Sequence, residues 1–162
     1  MNLQDLIKKI KEDIFFQIAL LSFSAVMMAY LSEFILNLRP CILCIYQRMP
    51  YFALAFLASI ALYFPSSKKI MSLLITLFII VEVGLAFYHV GVEHYIFEEN
   101  YSCQTNHQIG NMLSTNSLMS TCSEVHFRFM NFSMAEWNLI YSMGMLIYFI
   151  YKEKKNGFFT WR

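Results

Sequence analysis

Charge is what this sequence has least of. Asp, Glu, Lys and Arg make up 14% of its 162 residues, and hydrophobic residues make up 58%. Soluble domains carry about 25% charged residues. A soluble chain of this size cannot bury so much apolar surface, whereas a bilayer can solvate it. No charged tract, internal repeat or soluble second domain interrupts the pattern. Residues 1–162 are therefore expected to form a single membrane domain, and nucleic acid is not expected as a partner. A small-x-small cleavage site is also missing after the first apolar run. Lys8, Lys9 and Lys11 precede that run as the basic region of a signal peptide would. The run is longer than a signal's apolar core, so it is expected to be a retained helix. The net charge of +1 decides little until its distribution is considered.

Four apolar runs are present, at about 14–36, 41–64, 70–90 and 133–151. About 20 helical residues at ~1.5 Å each cover a hydrocarbon core of ~30 Å. Lipid offers no partner to an unpaired backbone group, so each run is predicted to be a helix. The expected fold class is all-α: an integral membrane four-helix bundle with a long extracytoplasmic loop, about 91–132, between helices three and four. Four spans put Lys8, Lys9, Lys11, Lys68, Lys69, Lys152, Lys154, Lys155 and Arg162 on one side. Only Arg39 and Arg128 lie opposite, with Arg48 a little inside a helix. The basic side is the cytoplasmic one. Both termini are thus predicted to be cytoplasmic, with all four cysteines on the outward side or at its membrane edge. Within the loop, Val125, Phe127, Phe129, Met130 and Phe132 alternate with polar residues. This stretch either lies flat in the interface or is an irregular loop with aromatics at headgroup level.

The cysteines form a tight pair, Cys41 and Cys44, and a wide pair, Cys103 and Cys122. Pro40 suits the first position of a helix, where its missing N–H would be unpaired anyway. Cys41 and Cys44 are then expected in the first turn, with Cys41, Cys44 and Arg48 on one stripe. A helix N-terminus and a nearby Arg both favour a thiolate, the nucleophile of thiol–disulfide exchange. Zinc would ordinarily take four ligands, often from two CxxC pairs, and there is no second CxxC here; no metal site is expected. A thioredoxin-like setting is also absent. Cys103 and Cys122 enclose a polar loop whose closure contributes about 3 kcal/mol in the chain-entropy model. Taken alone they suggest a structural disulfide. Beside a CxxC they suggest a second exchange pair.

Arg48 lies in an apolar run, where a charge is costly and therefore a candidate for function. It either holds an anion formed on reduction of a bound acceptor, or snorkels, or pairs with a carboxylate. Glu82 lies at a similar depth by residue count. His89, Glu93 and His94 sit near the outward end of helix three. They either assist proton movement or are interfacial polar residues without a chemical role.

The segment Pro40-Cys41-Ile42-Leu43-Cys44-Ile45-Tyr46-Gln47-Arg48 resembles the signature of the bacterial disulfide bond formation protein B family, DsbB. Tyr88-His89-Val90-Gly91-Val92-Glu93, Cys122-Ser123-Glu124-Val125, Arg128-Phe129 and Ser133-Met134-Ala135 are also similar to family segments. The resemblance implies a bacterial inner-membrane protein-dithiol:quinone oxidoreductase. In it, a DsbA-type thioredoxin-fold partner in the periplasm is oxidised by the pair Cys103 and Cys122, with Cys103 forming the mixed disulfide. Electrons pass to Cys41 and Cys44, then to ubiquinone or menaquinone from the membrane pool, with Cys44 and Arg48 beside the quinone. The cysteine loop is short for the family. Two other readings are a vitamin K epoxide reductase-like quinone redox protein and a membrane scaffold with a structural loop disulfide. In the first the CxxC lies late in the bundle, whereas here it opens helix two. The second leaves the CxxC and Arg48 stripe unexplained.

Overall fold

The computed structural model describes residues 13–98, 121–123, 125 and 127–156. Four long helices dominate: α1 (Ile14–Leu36), α2 (Ile42–Tyr63), α3 (Lys68–Glu93) and α4 (Met134–Asn156). A 3-10 turn, Pro65–Ser67, joins α2 to α3. A two-stranded ribbon, β1 (Arg128–Phe129) and β2 (Phe132–Ser133), precedes α4.

Local chemistry sets the ends. Asp13 caps α1 by accepting the Phe15 N–H at 2.9 Å, and the helix stops at Asn37, which takes a left-handed conformation with φ 51°. Asn tolerates that region better than most residues. The expected first turn of α2 needs correction. The helix begins at Ile42, and Cys41 is its N-cap, extended at ψ 168°. The Cys41 sulfur accepts the Cys44 N–H at 3.3 Å, taking the place of the usual capping oxygen. Tyr95, at φ 56°, ends α3. The chain then folds back so that Ile96 and Phe97 donate their N–H groups to the Gly91 carbonyl at 2.8 and 3.2 Å. A Cβ on Gly91 would run into the Phe97 ring, which would have to shift to admit it.

The last part of the stretch expected to be interfacial or irregular forms a hairpin, with Arg128 opposite Ser133 and Phe129 opposite Phe132. Met130 and Asn131 supply the two positive φ values that a tight two-residue turn requires. Trp137 on α4 anchors the hairpin by donating its indole N–H to the Phe129 carbonyl at 3.0 Å.

The helices pack in sequence order, α1 on α2, α2 on α3 and α3 on α4, and α4 also meets α1. Ile18, Leu54, Ala58, Ile75, Ile79 and Phe149 form a fully buried centre. Polar side chains tie α4 to α1: Tyr141 donates to the Leu21 carbonyl at 2.9 Å and Tyr148 to Gln17 at 2.5 Å. Such bonds hold helices together where the surroundings are as apolar as the interior. The outer faces are indeed apolar: Phe34 is 84% exposed, and Ile35, Phe56 and Ile147 stand out beside it. In water such a surface would drive aggregation.

Among the described residues three helices, α1 to α3, are long and apolar enough to cross a membrane. The fourth differs from them in composition. It carries Glu136, Asn138, Lys152, Glu153, Lys154 and Lys155 within one helix, and so extends past the expected span into a charged turn. Lys68 and Lys69, at the start of α3, share one end of the bundle with Lys152, Lys154 and Lys155. There Lys68 pairs with Asp13 at 3.0 Å, and Ser72 donates to Glu153 at 2.7 Å. Lys8, Lys9, Lys11 and Arg162 lie outside the described residues. Arg39 and Arg128 belong to the opposite end, with Cys41, Cys44 and Cys122.

Candidate functional site

The Cys41 and Cys44 sulfurs lie 3.0 Å apart as thiols, with Cys41 donating to Cys44. A disulfide needs about 2.05 Å, so a small side-chain rotation separates the two redox forms. Placing Cys41 at the cap and Cys44 one turn in brings the sulfurs together. The hydrogen bond with Cys44 is the first cause that pushes the Cys41 thiol up from its ordinary value, and burial adds to it. In this pair Cys41 donates and Cys44 accepts.

Helix α3 brings His89 to the same place. Its Nε2 lies 3.5 Å from the Cys41 sulfur, and its Nδ1 lies 3.4 Å from Gln47 Oε1 on α2. With the proton on Nδ1 directed at Gln47, the Nε2 lone pair faces the sulfur. His89 is only 2% exposed, so this is an interior contact and not interfacial decoration. One turn further along α3, Glu93 Oε1 lies 4.0 Å from His89 Nε2. Glu93 accepts from Ser133 Oγ at 2.5 Å. Ser133 and Glu136 form a reciprocal capping box at the start of α4: the Ser133 N–H donates to Glu136 at 2.7 Å, and the Glu136 N–H to Ser133 Oγ at 3.1 Å. Glu136 then meets the exposed His94 at 2.9 Å. A chain of polar groups thus leads from Cys41 to the surface.

Arg48 does not meet Glu82. It pairs with Glu33 on α1, and its guanidinium lies over the Tyr30 ring at 4.8 Å. Glu82, fully buried, accepts from Asn138 Nδ2 at 2.8 Å, and Asn138 accepts from Tyr51 at 2.8 Å. Counting residues put Glu82 near the depth of Arg48, but the direction around the helix selects Glu33. Two buried donors near the cysteines, Arg48 Nε and Gln47 Nε2, have no partner among the described residues. Unpaired buried donors suit the carbonyl oxygens of a quinone, so these side chains fit such a group.

Cys122 is disulfide-bonded and buried, and it packs in one small cluster with Cys41, Leu43 and Val92. Cys44 and Tyr88 lie against that cluster. Three of the four expected cysteines are therefore brought together; Cys103 lies outside the described residues. The sequence alone gave no role to Glu33, Gln47 or Ser133. The S-x-x-E spacing of Ser133 and Glu136 is a capping-box signal in the sequence that could have pointed to Ser133.

A protein-family model described as "Disulfide bond formation protein DsbB" matches residues 11–152. An uncharacterized protein, RP370, of Rickettsia prowazekii (strain Madrid E) is 29% identical over 136 residues, with 79% of each chain covered. No solved structure matches the chain.

Proposed function

This chain belongs to the DsbB family of membrane disulfide bond formation proteins, and on that premise we propose that it is a protein-dithiol:quinone oxidoreductase. It reoxidises a DsbA-type thioredoxin-fold partner and delivers the electrons to a membrane quinone. The observation that carries this reading is the packing of disulfide-bonded Cys122 in one cluster with the Cys41 and Cys44 thiols. Two cysteine pairs so close can exchange.

The electron balance is simple. The partner's two thiols lose two electrons and two protons as the Cys103–Cys122 disulfide becomes two thiols. Those thiols are reoxidised as a Cys41–Cys44 disulfide is reduced. The dithiol Cys41 and Cys44 returns to a disulfide when two electrons and two protons leave for the acceptor.

A quinone bound beside Cys44 supplies a two-electron, two-proton acceptor. The residues of the chain do the rest. Gln47 and Arg48 have donors available to hold a carbonyl oxygen. Gln47 fixes the His89 ring, whose Nε2 faces Cys41 and can take its proton. Glu93, Ser133, Glu136 and His94 continue that path outward. The CxxC that opens the second helix argues against an epoxide reductase arrangement, and a purely structural role gives no reason for a buried His beside thiols. The distribution of basic residues supports one membrane domain with both termini in the cytoplasm and the cysteines in the periplasm.

The test is quinone reduction by the detergent-purified full chain, with a reduced DsbA-type protein as sole donor. Turnover with ubiquinone or menaquinone that vanishes in Cys103→Ser and in Cys41→Ser is the expected result. Turnover that persists in either variant contradicts the route, and none with either quinone contradicts the activity.

A further inference from the structure

Thiol pairs and imidazole nitrogens are ligands for soft divalent cations as well as redox and proton-transfer groups. Cys41, Cys44 and His89 place their ligand atoms within 4.8 Å of one another. Among the described residues no other group of three Cys, His, Asp or Glu side chains comes so close. The lack of a second CxxC removes the ordinary four-cysteine zinc site, but folding supplies a third donor from a different helix.

The distances can be compared with what a tetrahedral ion demands. Bonds of ~2.3 Å to sulfur and ~2.05 Å to nitrogen put a sulfur and a nitrogen about 3.6 Å apart, and two sulfurs about 3.8 Å apart. Cys41 Sγ and His89 Nε2 already stand at 3.5 Å. The two sulfurs, at 3.0 Å, must part by about 0.8 Å, which side-chain rotation at the extended cap residue Cys41 allows. The surroundings also suit a metal ligand. The Cys44 N–H donates to the Cys41 sulfur at 3.3 Å, a bond that a metal-bound sulfur there can keep. Gln47 Oε1 faces His89 Nδ1 at 3.4 Å and directs the Nε2 lone pair at the sulfurs, which is how a ligating histidine is held. Cys41 and His89 are 4% and 2% exposed, so a bound ion would be shielded from competing water.

We propose that the reduced Cys41–Cys44 pair and His89 bind one soft divalent cation, Zn2+ or Cd2+, and that the bound ion closes the pair to thiol exchange. Binding releases the two thiol protons to solvent and moves no electrons. Two thiolates, a neutral imidazole and a dication sum to zero charge, which suits a site at a membrane edge. Oxidation of the pair removes both sulfur ligands, so affinity exists only in the reduced form. The inference goes beyond the quinone-linked reaction and does not depend on it.

The test uses Cd2+ and the full-length, detergent-purified chain carrying Cys103→Ser and Cys122→Ser, reduced with a thiol-free phosphine. Neither quinone nor partner protein is present, so a failure of the redox reading leaves the result intact. The near-ultraviolet sulfur-to-cadmium charge-transfer band is expected to saturate at one ion per chain. Bound Cd2+ is expected to protect Cys41 and Cys44 from maleimide. Gln47→Leu should weaken binding by about 10–100-fold, the usual loss for an outer-sphere partner of a ligating histidine. His89→Phe, checked for helical content, should weaken it further. Equal affinity in His89→Phe and the parent, or no band in the folded reduced parent, would overturn the proposal. Should His89→Phe not fold, unchanged affinity in Gln47→Leu serves the same purpose.

Discussion

The two ends of the bundle are built from different material. In the middle and towards the lysine-bearing end, Ile18, Leu54, Ile75, Ile79 and Phe149 fill a continuous apolar centre. Some of its polar groups are tied off in pairs, such as Ser72 with Glu153 and Lys68 with Asp13, while Ser22 Oγ and one oxygen each of Glu82 and Glu153 have no partner among the described residues. At the other end the buried cluster is small, with Cys41, Leu43, Val92 and Cys122 at its core. It is ringed by His89, Gln47, Glu93 and Ser133, which are connected to one another or left with a free donor. One end holds helices together through dispersion and shape. The other gives up some of that packing for groups that can exchange a disulfide bond or a proton. The difference teaches that stability and chemistry in this chain can be changed separately.

Substitutions at the two ends should therefore separate activity from stability, beginning with the greatest change. Cys44→Ser is expected to abolish quinone reduction, with the helical content and melting temperature of the purified protein close to those of the parent. A large loss of stability would show that the cysteine end also carries the fold. Leu54→Ala empties part of the apolar centre and should cost about 2–5 kcal/mol. Thermal or denaturant unfolding in detergent measures this, and turnover per folded molecule at low temperature should change little. Arg48→Ala removes a charged donor beside the pair. A hydrogen bond from a charged group contributes about 1.5–3 kcal/mol, so KM for quinone should rise about 10–100-fold with little change in stability. An unchanged quinone dependence would take Arg48 out of the site. Glu33→Gln should have the smallest effect. Removing the carboxylate that occupies Arg48 should lower KM for quinone by a factor of about five at most, on the order of 1 kcal/mol. A rise in KM would instead make Glu33 the residue that positions Arg48.

Much of this was legible in the sequence, and the misses have physical causes. The first apolar run coincides with α1 at both ends, Ile14 and Leu36, because lipid-facing composition and helical limits agree there. The third run, expected over 70–90, falls short of α3 at both ends, since Lys68, Lys69 and Glu93 are helical without being apolar. Hydropathy reports depth, not hydrogen bonding. The hairpin over Arg128–Ser133 escaped notice because its turn uses Met130 in a left-handed conformation, where asparagine or glycine is the usual signal. The residues with chemistry were visible by type: the CxxC, Arg48 and the polar end of α3. Their partners were not. Counting residues gives the depth of Arg48 but not its direction around α2, and that direction leads to Glu33 on α1. Likewise, the contact of His89 with Cys41 depends on how α3 is rotated against α2. Only packing fixes that.

The central claim is that electrons leave through Cys41 and Cys44 after entering at the loop pair. Alkylation trapping followed by mass spectrometry tests it most directly. A reduced DsbA-type partner is mixed with the fully oxidised, quinone-free chain, and quinone is added after a delay. Before quinone is added, both cysteine pairs should become reduced. After the partner is removed and excess quinone is added, Cys41 and Cys44 should return to a disulfide within a turnover. A Cys41–Cys44 pair that remains oxidised before quinone, or remains reduced after it, would contradict the account.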